Sequence, residues 1–170
     1  MIKSTLKFSI ICGVFLYVLF LLSLRFGTNP FIDLNQLLFD VVIFSLFIFF
    51  ATKEYKRYQN GGILHFWEGM TVGFLLYAPA ITIFIVALYV HNIFDSSILG
   101  DYKQDAMQYL EERKESFLED MGTQEQYEAQ VAAIEAINFH RLVWGAALKK
   151  ILVGLFLTPI IAILLRKKPK

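Results

Sequence analysis

Cysteine is almost missing from this chain. Cys12 stands alone among 170 residues, which excludes an internal disulfide and any zinc site built on cysteine. Histidine is nearly as scarce, with three residues. There is no G-x-S-x-G turn, no glycine-rich phosphate loop and no H-E-x-x-H pair, so nucleophilic catalysis and zincin chemistry find no footing. A non-enzymatic role without a cofactor is therefore expected. Charge is thin as well, at 18% of residues against about 25% in ordinary soluble domains. No basic surface is interleaved with stacking aromatics, so nucleic acid is not an expected partner.

What is abundant is apolar: 56% of the chain, against about 45–50% in soluble domains. Long uninterrupted runs place that excess in lipid rather than in a soluble core, so the lipid bilayer is the first expected partner. Four spans are expected, at about residues 6–24, 32–51, 66–90 and 143–165. The first is read as an uncleaved helix, because Leu24-Arg25-Phe26-Gly27 follows it instead of the small residues of a cleavage site. The second has only 15 apolar residues from Leu37 to Ala51, whereas a hydrocarbon core about 30 Å thick needs about 20. It must begin near Ile32, and that carries Asp40 into the membrane. Gly69 and Gly73 open the third span as a GxxxG pair suited to close helix packing. Pro79 lies mid-span, where a kink is expected, and Pro159 interrupts the fourth.

Sign is segregated along the chain. Lys3, Lys7, Lys53, Lys56, Arg57, Arg166, Lys167, Lys168 and Lys170 all fall on one side of a four-span arrangement. Both termini are then cytoplasmic by the positive-inside rule. The stretch Asp101 to Arg141 falls on the other side, carrying ten acids and four bases for a net −6. Tyr102, Ala106, Tyr109, Leu110, Arg113 and Phe117 recur at helical spacing, and Met121-Gly122 would end that helix. Thr123 with Gln126 reads as a capping box opening a second helix with Tyr127, Val131, Ile134 and Ile137 on its apolar face. Residues 101–141 are thus expected to be an extracytoplasmic helical hairpin, whose second arm runs unbroken into the fourth span.

Ionisable groups inside a bilayer cost about 2.5–3.5 kcal/mol each at a helix centre, so each one calls for a reason. Asp40 is the deepest. Lys149 and Lys150 lie about one turn inside the outer boundary of the fourth span and could reach it. Glu68 stands at the start of the third span within reach of Lys53, Lys56 or Arg57, and the reading preferred for it is a solvated interfacial charge favourably placed at a helix N-terminus. His91, Asp95 and His140 gather near the outer surface and are the candidate metal ligands, though at no diagnostic spacing.

Four spans, the residues Gly61, Gly62 and Phe66 before the third, glycines at 69 and 73, and a long charged outer segment together carry a resemblance. The chain resembles the uncharacterised domain-of-unknown-function families of small four-span bacterial inner-membrane proteins. That resemblance implies the topology and brings no reaction or catalytic residue with it. The fold class expected is all-α: four membrane helices with the hairpin between spans three and four. The leading expectation for function is an interaction or accessory subunit, whose acidic hairpin or small-residue helix faces engage another membrane protein, a periplasmic protein or a second copy. The alternative is a small ion- or proton-coupled transporter or channel component using Asp40 with Lys149 or Lys150. A polar cavity reaching Asp40 would favour the second, and a dry bundle the first.

Overall fold

The computed structural model of the protein describes residues 2–119 and 123–167. The expected helix end at Met121-Gly122 and the basic residues Lys168 and Lys170 lie outside them. Helices account for nearly all of the described residues, and no β-strand occurs among them.

Four helices are long and apolar enough to cross a membrane: α1 (Ile2–Arg25), α2 (Leu34–Glu54), α3 (Phe66–Phe94) and α7 (Phe139–Leu165). The chain is an all-α multi-pass membrane protein. At 1.5 Å per residue, the 29 residues of α3 extend about 43 Å, beyond a hydrocarbon core of about 30 Å. Its ends therefore stand in the headgroup layers, where the exposed Trp67 lies at one end and His91 at the other. Outward faces carry Phe15, Leu46, Phe50, Leu155 and Phe156, suited to lipid. Inward, Leu16, Phe20, Phe44, Leu76, Phe84 and Val143 form one continuous core.

Small residues set how closely the helices approach. A Cβ on Gly69 would stand 2.8 Å from that of Ala162, and one on Gly73 would overlap the Thr158 side chain. Further along the same seam, the Tyr77 ring lies over Gly154. The GxxxG face of α3 thus meets a small-residue row on α7, within one chain. Elsewhere on α3, Gly13 of α1 lies against the carbonyl of Ala80, and the Ser9 hydroxyl donates to the Leu76 carbonyl at 2.7 Å. Both contacts fall within three residues of Pro79, which leaves the Leu75 carbonyl without its usual helical donor. The helix continues through Pro79 as a single element.

Boundaries differ from the sequence expectation at three places, each for a local reason. α2 starts at Leu34 because Asn29-Pro30-Phe31-Ile32 folds as a turn, with the Asp33 amide bonded to the Asn29 carbonyl at 2.9 Å. The first hairpin arm breaks at Arg113 into α4 (Ser97–Glu112) and α5 (Lys114–Glu119). That break brings Phe117 to within 6.4 Å of Tyr127 on α6 (Gln124–Ala136), ring to ring. The second arm does not run on into the fourth span: Ile137 and Asn138 are extended. The Asn138 side chain accepts from the Arg141 amide at 2.9 Å and so caps a new helix. Thr123 and Gln126 do form the expected reciprocal capping box at the start of α6.

Asn138→Ala removes that cap and is expected to lower stability by about 1 kcal/mol, with Asn138→Asp close to neutral. Denaturant unfolding in mild detergent measures both. Equal loss in the two variants would mean that the cap is not what holds the break.

The hairpin is anchored onto the bundle. Ile98 is buried in the bundle core, Tyr102 meets Phe31 edge to face at 6.0 Å, and Asn29 donates to Asp105 at 2.9 Å. Lys103 crosses to the Glu135 carbonyl at 2.6 Å, tying α4 to α6. At the end that holds the termini, α2 continues as a π-helical turn over Tyr55–Gln59. There Lys56 donates to the last-turn carbonyl of Leu165, and Leu64 pairs by backbone with Lys167.

Candidate functional site

Asp40 is the seventh residue of α2, about 9 Å below the start of that helix. α7 runs alongside and presents Lys150, whose ammonium reaches both Asp40 oxygens at 2.6 Å. Each residue keeps only 3% of its surface exposed. Among the described residues this is the one ion pair. Lone charges this deep in a bilayer would be costly, and pairing removes the net charge while leaving two strong dipoles to satisfy. The Phe84 ring of α3 lies 4.6 Å from the Lys150 ammonium and offers its electron-rich face. Gln36, one turn before Asp40, holds its amide 3.5 Å from the carboxylate and accepts from Ser23 of α1 at 3.2 Å. All four long helices thus contribute to the pair or its surroundings.

A cleft of about 180 Å³ leads to it from the hairpin end of the bundle. Its roof is the turn Pro30 to Asp33, its walls include Phe20, Leu37 and Ala146, and its floor is the pair itself. Lys149 also lines it and donates to the Phe31 carbonyl at 3.0 Å, holding the roof down. Asp33 at the rim is committed to α2, since it accepts from the Asn35 amide at 2.9 Å. Past the pair, towards the termini, Cys12, Leu16, Phe44 and Ile48 fill the interior. The cleft is blind. Its volume holds several waters or a molecule about the size of benzene.

The sequence placed Asp40 opposite Lys149 or Lys150, and the structure assigns the two lysines different partners: Lys150 the carboxylate, Lys149 the roof carbonyl. Glu68 pairs with none of the connector's cations among the described residues. Its carboxylate accepts from the His65 amide and from Asn60, both at 2.8 Å, and so caps α3. Lys56 turns to α7 while Lys53 and Arg57 stack on Phe49 and Tyr58. A capping bond needs no reach across the gap between helices, and Glu68 at the third helical position is already in place for it. Gly69 and Gly73 pack inside the bundle, so that face is occupied by α7 and not free for a second protein.

The three metal candidates are held apart. His91 meets the Tyr17 hydroxyl at 2.9 Å, and His140 meets that of Tyr89 at 2.5 Å. Asp95 accepts from the Ser97 amide at 2.9 Å, and that bond holds its carboxyl below the usual carboxylate range. Among the described residues no three histidine, cysteine or acidic side chains come together to hold a metal.

Sequence reasoning missed Gln36, Phe84 and the Phe31 roof. Gln36 could have been found, since it lies four residues before Asp40 on the same helix face. Phe84 carries no such signal, being one phenylalanine among 17.

No curated protein and no solved structure matches the chain. A family pattern does match from residue 7 to residue 167, reaching all four long helices and the hairpin, and the chain belongs to that family, described as Protein of unknown function (DUF4199).

Proposed function

We propose that this is a non-enzymatic membrane protein of the ion- or solute-handling kind, a small transporter or channel component acting through Asp40 with Lys149 and Lys150. The observation that carries it is the cleft of about 180 Å³ that ends on a buried Asp40 and Lys150 pair. A bundle that only needed to pack would fill such a space with side chains, and intramembrane ionisable groups mark ion and proton paths. Because the interior beyond the pair is packed, passage requires the helices to move. Pro79 and Pro159 interrupt the backbone bonding of α3 and α7, the two helices joined at the glycine seam, and supply points where that can happen.

Orientation follows from charge. The bases at the termini end suit an anionic cytoplasmic leaflet, which puts the mouth of the cleft and the hairpin on the extracytoplasmic side of a bacterial inner membrane. The test is proton flux in vesicles reconstituted with the whole protein, parent against Asp40→Asn. Flux in the parent that falls at least tenfold in the variant is the expected result. No flux in the parent, or unchanged flux in the variant, removes the transport reading.

A second reading, an interaction or accessory subunit, is favoured by the hairpin. Its acids Glu111, Glu112, Glu115, Glu125 and Glu128 are exposed, and α4 grips the cleft roof through Tyr102 and Asp105. A basic extracytoplasmic partner, or a neighbouring membrane protein, could engage that surface and act on the cleft beneath it. Purification of the whole protein from its native membrane in mild detergent tests this: recovery as a lone monomer counts against the subunit reading.

A further inference from the structure

The turn that roofs the cleft also floors a second space. Above it, on the hairpin side, an open hollow of about 380 Å³ is walled by Asp105 and Tyr109 of α4 and by Arg113. Ile32, Asp33 and Leu34 line both this hollow and the cleft, so a single thickness of chain separates the two. What holds the turn from above is slight: the exposed bond from Asn29 to Asp105, and the Tyr102 ring edge to face on Phe31. Asn29 and Asp105 also line another hollow, of about 610 Å³, so open space flanks their bond on both sides. The hairpin, in contrast, is braced within itself. Lys103 reaches the Glu135 carbonyl, Phe117 meets Tyr127, and the Lys114 ammonium lies 4.9 Å from that same ring. Between Tyr102 and Ile137 none of the described residues belongs to the bundle core. Both joints to the long helices are unwound, at Asp95 and Ser96 on one side and at Ile137 and Asn138 on the other. A braced arm beyond two non-helical joints has the parts of a hinge, because a few residues at element ends can absorb the backbone rotation. Ile98, which is buried in the core, lies only three residues past Asp95, where a swing moves it least.

We propose that the hairpin is a lid over the cleft, swinging on its two unwound joints, with the Asn29 to Asp105 bond as the latch that keeps the roof turn closed. Release of the latch lets the arm carry Tyr102 off Phe31. The turn is then left to its contacts below, with Phe20 and Lys149, and the way from the outer hollow to Asp40 opens. The lid is a regulator of the cleft and rests on the reading of that cleft as the functional site.

Labelling of a single thiol tests the lid without reference to flux. Ala146→Cys, with the natural thiol removed by Cys12→Ala, puts the target in the cleft wall. The whole protein in lipid vesicles is then exposed to a membrane-impermeant, anionic methanethiosulfonate. Asn29→Asp keeps the side-chain size and the acceptor that the Phe31 amide uses, but it faces Asp105 with a second carboxylate. It is expected to speed labelling at least about tenfold, although its added charge by itself would slow an anionic reagent. Adding Asp105→Asn restores the bond in reverse and should return the rate to within about twofold of the parent's. Ala147→Cys, at the fully buried neighbouring position, should stay unlabelled throughout. An unchanged rate in Asn29→Asp, even with Tyr102→Ala added, overturns the lid. So does an accelerated rate that Asp105→Asn leaves in place, or equal acceleration at Ala147→Cys, which would mean that the whole bundle has loosened. Latch-dependent labelling without proton flux upholds the lid and removes the transport reading. Flux with labelling indifferent to the latch does the reverse.

Discussion

Asp40→Leu alone is expected to lower the free energy of unfolding by about 3–5 kcal/mol, and Lys150→Met alone by a similar amount. The double variant should recover most of the loss. Each single change leaves a charge in the middle of the bundle with no counter-charge, and removing one partner of a buried pair carries a penalty of that size. Changing both removes both charges at once, and a leucine with a methionine fills the volume with apolar surface. Replacements of this kind range from neutral to stabilising. Denaturant unfolding of the four proteins in mild detergent, followed by circular dichroism, gives the coupling energy directly. Single variants each within about 0.5 kcal/mol of the parent would mean that water in the cleft solvates whichever charge is left. The double variant also separates stability from function: it should fold, and it should lack the proton flux proposed for the parent.

Gly73→Leu is expected to destabilise by about 3 kcal/mol, at the upper end for overpacking, because a Cβ there already overlaps Thr158 before the rest of the side chain is placed. α3 and α7 would have to separate along the seam that also holds Gly69 against Ala162 and Gly154 against Tyr77. Gly73→Leu combined with Thr158→Ala should regain part of the loss, since the first atoms met belong to the threonine side chain. Gly145→Ala is the control. A Cβ at Gly145 meets nothing within 4 Å, so this change should be neutral or stabilise by up to about 1 kcal/mol through helix propensity. Equal effects at 73 and 145 would deny the seam its role.

These two glycines show where reading the sequence stops. Both sit in apolar helices beside other small residues, and nothing in the local pattern separates a glycine under a threonine from one facing open space. The spacing of Gly69 and Gly73 announces a close contact, but whether the contact lies within the chain or between chains depends on where Thr158 and Ala162 arrive, about 85 residues later. Glu68 makes the same point at shorter range. Three cations lie within 15 residues of it in the chain, yet its carboxylate is engaged by the His65 amide and the Asn60 side chain instead.

Hydrophobic length and charge placement by themselves determined that this protein crosses a membrane four times and which ends of its spans share a side, because a bilayer of fixed thickness acts on each segment separately. Helical periodicity and a local cap likewise foretold a hairpin between spans three and four. Only the tertiary structure decided that Lys150 takes the carboxylate and Lys149 the Phe31 carbonyl, and that a cleft opens above them. Adjacent residues on a helix point about 100° apart, so rotating α7 against α2 by that amount would exchange the two lysines. That rotation is fixed by the packing of Ala162, Thr158 and Gly154 on α3, a constraint spread over two distant helices and visible in neither one alone.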